Sequence, residues 1–253
     1  MRRLGIARLR PLLLAGAASL CLSSCLTPIR AVYYVEMKPQ SSEARYHVDP
    51  VDDALVYSQE GLQVRARYLT DEGMRRELPG PENPYVRPEI DSRLGYRPLD
   101  FTVFEVTVVN PTFAKVLLDP RNAELVTTQG KRMDSYGINR TDAGGAVQSF
   151  ETHFLARGVQ TGDAQKLYLE RMGKVRETIY HRNSPIFRGK TYAGRIAFDP
   201  LPPEARQVEL VLHDVVTGFG IHDEPVEKVT LRFPFTVKQG VREPPTDPSA
   251  GRR

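Results

Sequence analysis

From about residue 54 to residue 239 the dominant hydrophobic period is two, the signature of half-buried strands. The clearest run is Val229, Leu231, Phe233, Phe235 and Val237, with Thr230, Arg232, Pro234 and Thr236 on the other face. Pro234 cannot donate to a ladder, so this strand is expected at a sheet edge or with a bulge. Leu62, Val64, Ala66 and Tyr68 alternate in the same way, as do Val208, Leu210 and Leu212, and Ala123, Leu125 and Thr127. Phe101 to Val109 is apolar on both faces, which predicts a central strand. Further strands are expected over Val147–Ala156, with Phe150, Thr152 and Phe154 together, and at Tyr192, Ile196 and Phe198, with Gly194 between. Asn110-Pro111, Asp119-Pro120, Gly144-Gly145 and Asp199-Pro200 punctuate the runs as turns.

Short strands with such turns predict a mainly β chain, an antiparallel β-sandwich. One stretch breaks the period. Tyr168, Met172, Val175 and Ile179 recur at helical spacing, so one inserted helix is expected over about 162–181, capped by Thr161 or Asp163. Leu78 to Pro98 carries five prolines and little apolar pattern. It is read as a long loop and a candidate functional segment.

Before the sandwich the chain changes character. Arg2, Arg3, Arg8 and Arg10 precede an apolar run, Pro11 to Leu22, of about 12 residues, a length that suits a signal peptide and falls short of a membrane span. Leu22-Ser-Ser-Cys25 resembles a bacterial lipobox. The resemblance implies cleavage after Ser24, lipid on Cys25, and an exported protein held by acyl chains. Leu26 follows the cysteine, where the same family uses Asp for retention at the inner membrane. In a host with two membranes this implies outer-membrane sorting. The expected organisation is a signal peptide at 1–24, a lipidated tether at 25–53 with a short strand at Val32–Val35, the sandwich at 54–239 and a disordered tail at 240–253.

This division changes the charge picture. Of 35 Lys+Arg, four arginines lie in the signal, leaving 31 against 31 Asp+Glu. A formally neutral mature chain offers no general electrostatic attraction for nucleic acid or anionic lipid. Arg75-Arg76, Lys131-Arg132 and Arg252-Arg253 read as solvated surface. Cys21 leaves with the signal and Cys25 is lipidated, so thiol chemistry is excluded from the mature domain.

The segments Phe101-Thr-Val-Phe-Glu-Val-Thr-Val-Val-Asn-Pro111, Tyr192-Ala-Gly-Arg-Ile-Ala-Phe-Asp-Pro-Leu-Pro202 and Val208-Glu-Leu-Val-Leu-His-Asp214 resemble telokin-like, immunoglobulin-like domains of bacterial surface lipoproteins. That likeness implies an immunoglobulin-like sandwich at the cell envelope and supplies no active site.

Candidate chemistry is sparse. Among His47, His153, His181, His213 and His222, none forms a metal-binding pair at helical spacing. A hairpin could bring His213-Asp214 near His222-Asp223-Glu224 to bind a divalent cation; hydrogen-bonded loop histidines are the plainer reading. Ser149 and His153 share a face of an expected strand, without a nucleophile elbow around the serine. Asp49, Asp52 and Asp53 lack the spacing of a calcium loop. Gly218-Phe-Gly220 is not a phosphate loop. Tyrosines crowd the first hundred residues, suiting sandwich strands or a binding surface. Two functions stay open: a non-catalytic binding or scaffolding lipoprotein with a membrane anchor, an envelope protein partner and no cofactor, or a metal-binding or hydrolytic lipoprotein with its site near His213–Glu224.

Overall fold

The protein is described by a computed structural model over residues 31–41, 43–141, 148–158, 162–181 and 184–242. The signal segment, Cys25, the expected Gly144-Gly145 turn and residues 243–253 of the expected tail lie outside the described residues. In chain order the strands are β1 (Val32–Pro39), β2 (Tyr46–Val48), β3 (Leu55–Gln59), β4 (Leu62–Leu69), β5 (Thr102–Asn110), β6 (Lys115–Val116), β7 (Ala123–Thr127), β8 (Arg132–Asp134), β9 (Ile186–Phe187), β10 (Lys190–Phe198), β11 (Gln207–Phe219) and β12 (Pro225–Arg242). The helices are α1 (Asp71–Glu77), α2 (Phe150–Leu155) and α3 (Asp163–Thr178). None of them is long and apolar enough to cross a membrane.

Two five-stranded antiparallel sheets, ordered β1-β12-β11-β7-β8 and β10-β5-β4-β3-β2, pack face to face as the predicted sandwich; β6 and β9 form a small ribbon. The period of two decides which side chains fill it. Phe104, Val106 and Val108 point in from β5, and Leu231, Phe233, Phe235 and Val237 point in from β12. The Phe104 and Phe235 rings meet across the two sheets at 5.2 Å between centroids. As predicted, β5 is interior, between β10 and β4.

The strand expected at Val32–Val35 runs on to Pro39 and belongs to the first sheet, so the sandwich begins before the expected boundary at residue 54. Tyr33, Val35 and Met37 face the core, and β1 pairs with β12 along its whole length, from Val32 opposite Arg242 to Pro39 opposite Phe235, so residues 240–242, expected in the disordered tail, are strand held by β1. The prolines at 28 and 39 flank this alternation and make it look like tether. β12 is likewise no edge strand, and its register with β11 is unbroken at Pro234. The Pro234 carbonyl accepts from Gln40 N at 2.9 Å, just beyond the end of β1, so the missing N–H falls where that pairing stops.

Residues 150–155 form a helix where a strand was expected. Ser149 caps it, its Oγ accepting from Thr152 N at 3.1 Å. Phe150 and Phe154 are both buried. An apolar pair four apart fits either period, and the serine cap together with the hydrophobic layer beneath favours the helix. α1 also adds to the single expected helix. Thr70 Oγ1 accepts from Gly73 N, with Asp71 and Glu72 in the first turn and Arg75 and Arg76 in the last, complementing the helix dipole. α3 matches the predicted helix, but its N-cap is Gly162 and makes no side-chain cap bond; Thr161 is outside the described residues.

The helices cover the outer face of the second sheet. Leu69, Val103 and Ala197, in register on β4, β5 and β10, lie under Met74, Phe150, Phe154, Met172 and Val175. The chain leaving α3 then crosses β10, where Tyr180 N donates to Arg195 O at 2.8 Å. A Cβ on Gly194 would lie 2.5 Å from Tyr180 Cα. Gly194→Ala is therefore expected to cost about 2 kcal/mol of stability, read as a lower urea midpoint with unchanged m-value.

Candidate functional site

The loop after α1 is held down residue by residue. Asn83 is buried, and its Nδ2 donates to Met74 O and Leu78 O while its Oδ1 accepts from Tyr85 N. One side chain thus satisfies the end of α1 and turns the chain inward. Tyr85 is fully buried, its hydroxyl 2.7 Å from Thr178 Oγ1 and its ring beneath the Arg195 guanidinium. Arg195 also pairs with Glu77.

Asp100, at the loop's end, is a second buried charge of this region. Arg157 grips it with a fork, Nη1 to Oδ2 at 2.8 Å and Nη2 to Oδ1 at 2.7 Å, and Arg87 Nε donates to Oδ1 at 2.9 Å. Burial alone pushes the carboxyl up, but the Arg157 and Arg87 guanidiniums outweigh it and hold Asp100 below the ordinary carboxylate value.

Between the loop, the end of α2 and the start of α3 lies a cleft of about 470 Å³. Arg87, Arg157 and Arg171 line it together with Ile90, Phe154 and Tyr168. Arg171 Nε donates to Pro81 O at 2.9 Å, and its buried Nη2 has no acceptor among the described residues. Burial lowers the Arg171 pKa, the mark of a cation removed from water. Glu89 and Asp91 also line the cleft. Glu89 is exposed, and the Asp91 carboxylate accepts from Arg93 N and Leu94 N within its own turn. The arrangement suits an acidic or carboxylate-bearing group set against an apolar wall. These residues come from three separate chain segments, and no local motif in the sequence marks them.

Ser149 and His153 end up one helical turn apart on α2. The serine hydroxyl is committed to Thr152, through its N and Oγ1. The His153 ring packs on Phe101, 4.6 Å between centroids, and its Nε2 is buried without a partner among the described residues. Burial, with Arg157 adding to it, lowers the His153 pKa to about 4. Neutral His153 in the fold must compete with an unfolded imidazole that protonates below about pH 6.5, so stability is lost as pH falls from 6.5 towards 4. Discounted for partial exposure, the loss is about 2 kcal/mol. Asp71 opposes it: burial raises its carboxyl to about 6, a contribution lost as pH rises through 6. The two are separated by comparison with His153→Gln, whose denaturation midpoint is expected to fall less between pH 7 and pH 4 than that of the wild type.

The His213–Glu224 region does not converge. His213 lies at a bulge in β11, with its Nε2 2.7 Å from Glu124 Oε1. His222 sits in the turn linking β11 to β12, and Asp223 pairs with Lys115. The hairpin turns only after Phe219, so the strand carries His213 away from its tip. No group of three or more His, Cys, Asp or Glu is placed to hold a metal among the described residues. Asp49 and Asp52 are bound by Arg65 at 2.7 and 3.0 Å, and His181 Nε2 is 2.8 Å from Arg176 O. No family model matches the chain, and no curated protein or solved structure does either.

Proposed function

We propose that the protein is a lipid-anchored module of the bacterial cell envelope that binds a protein partner and carries out no catalysis. The carrying observation is spacing. Leu22-Ser-Ser-Cys25 stops seven residues before Val32, where the chain enters the first sheet. Seven residues span roughly 25 Å at most. An acyl anchor on Cys25 therefore keeps the sandwich against its bilayer instead of on a long tether. Leu26 after the cysteine favours the outer membrane in a two-membrane host.

The partner surface in this reading is the cleft between the loop and α3. Its half-buried Arg171 guanidinium and apolar wall suit an acidic peptide segment. Radiolabelled palmitate should enter the wild type and not Cys25→Ser, which should leave the membrane fraction. A photo-crosslinking residue at Leu167, in the cleft lining, should yield a reproducible adduct in intact cells that Arg171→Glu abolishes. An unlabelled wild type would remove the anchor; an absent or Arg171-independent adduct would remove the binding surface.

A further inference from the structure

Strand register sets how the sandwich faces its bilayer, granted the lipid anchor proposed above. Val32 pairs with Arg242, so β1 begins where β12 ends and both leave from one pole. The β11–β12 turn lies at the other end of β12, a strand of 18 residues and so about 60 Å of extended chain.

The pole next to the lipidated cysteine has a distinct chemistry. Tyr33 stacks on Tyr96 at 5.7 Å between centroids, and the Arg242 guanidinium lies 5.1 Å over the Tyr34 ring. A cleft of about 450 Å³ opens there, with Tyr33, Tyr34, Tyr68, Arg97 and Arg242 in its lining. Arg97 also donates to Pro88 O, which holds the loop to this end. Beside Tyr96, the turn Asp91–Gly95 projects Leu94, which is 47% exposed. The three acids of this lining are partnered in part: Glu36 is 4.0 Å from Arg242, Asp71 is 3.7 Å from Arg75 and Glu72 is 4.0 Å from Arg76. Amphipathic tyrosines, arginines and a projecting leucine match the layered polarity of a bilayer interface: apolar tip in the acyl boundary, aromatic rings and cations at headgroup depth.

We infer that this pole docks on an anionic phospholipid surface, with Leu94 entering the interface and Tyr34, Arg97 and Arg242 at the headgroups. Each arginine near an anionic surface strengthens association by about fivefold. The chain between Cys25 and Val32 reaches roughly 25 Å, enough to seat this pole and too short to invert the domain. The opposite pole also shows an exposed apolar residue, Ile221, at 98%. A domain lying flat would bring that tip to the bilayer as well, so the two arrangements are separable.

The chain has no tryptophan, so single probes report without background. The mature full-length protein carrying Leu94→Trp, Tyr34→Trp or Ile221→Trp is reconstituted in vesicles of phosphatidylethanolamine and phosphatidylglycerol at about three to one, with and without brominated acyl chains. Mass spectrometry first reports acylation of Cys25. The expected result is quenching of the probes at 94 and 34 by about half, with the probe at 221 unchanged. Arg97→Glu with Arg242→Glu should weaken the quenching at 94, while circular dichroism shows an intact fold. Acylated protein with no quenching at 94 and 34, or with equal quenching at 221, overturns the docked pole and leaves the anchor standing. An unmodified Cys25 overturns both.

Discussion

Phe104→Ala should lower the free energy of unfolding by about 4 kcal/mol, the largest effect expected of any single truncation in the sandwich. Phe104 is 0% exposed and its ring touches three others, Tyr68 at 5.8 Å, Phe198 at 6.3 Å and Phe235 at 5.2 Å between centroids. Two of these neighbours sit in its own sheet and the third in the facing one, so the surroundings cannot all collapse into the vacated space. For a domain of this size the loss corresponds to a drop of about 12 °C in melting temperature. Calorimetry of the variant checks it; a shift under about 3 °C would mean that the two sheets close over the gap.

Arg157→Ala comes next, at about 3 kcal/mol. The Asp100 carboxylate is 3% exposed and loses its two-point partner, keeping only Arg87. Most of the cost is the stranded buried charge, so a second substitution should recover stability: Arg157→Ala with Asp100→Asn is expected to be more stable than Arg157→Ala alone. The acid side gives an independent readout. A carboxyl held below its unfolded value contributes stability above the unfolded pKa, near 4, that is lost as pH falls further. Wild type should therefore lose an increment below pH 4 that the double variant lacks. Urea denaturation at pH 7 and at pH 3 measures both; equal stability of single and double variants would show that Arg157 contributes through packing alone.

Both predictions depend on contacts between chain segments far apart, and there sequence reading reaches its limit. Phe104 could be placed in a central strand because residues 101–109 are apolar on both faces, which needs no knowledge of neighbours. The grip of Arg157 on Asp100 could not be placed, because an isolated arginine and an isolated aspartate 57 positions apart carry no periodic signal. The same holds for Arg171, which looks like any charged residue on a helix until the loop packs beside it. For His213 and His222, closeness in sequence was misleading: the hairpin that was expected to join them exists, but its turn comes late and β11 carries His213 away from the tip.

Alternation alone determined that this chain is mainly β and which residues face inward on β4, β5, β7, β11 and β12, and helical spacing determined where α3 runs; the signal-like start and Leu22-Ser-Ser-Cys25 are equally local features. Tertiary structure decided the rest. It made residues 150–155 a helix, drew residues 32–39 into the first sheet, seated Pro234 inside a sheet and built a cleft from three distant arginines. A local pattern states how a segment can bury its apolar side chains. Which segment covers it, and which charges are removed from water together, depends on the whole chain closing at once.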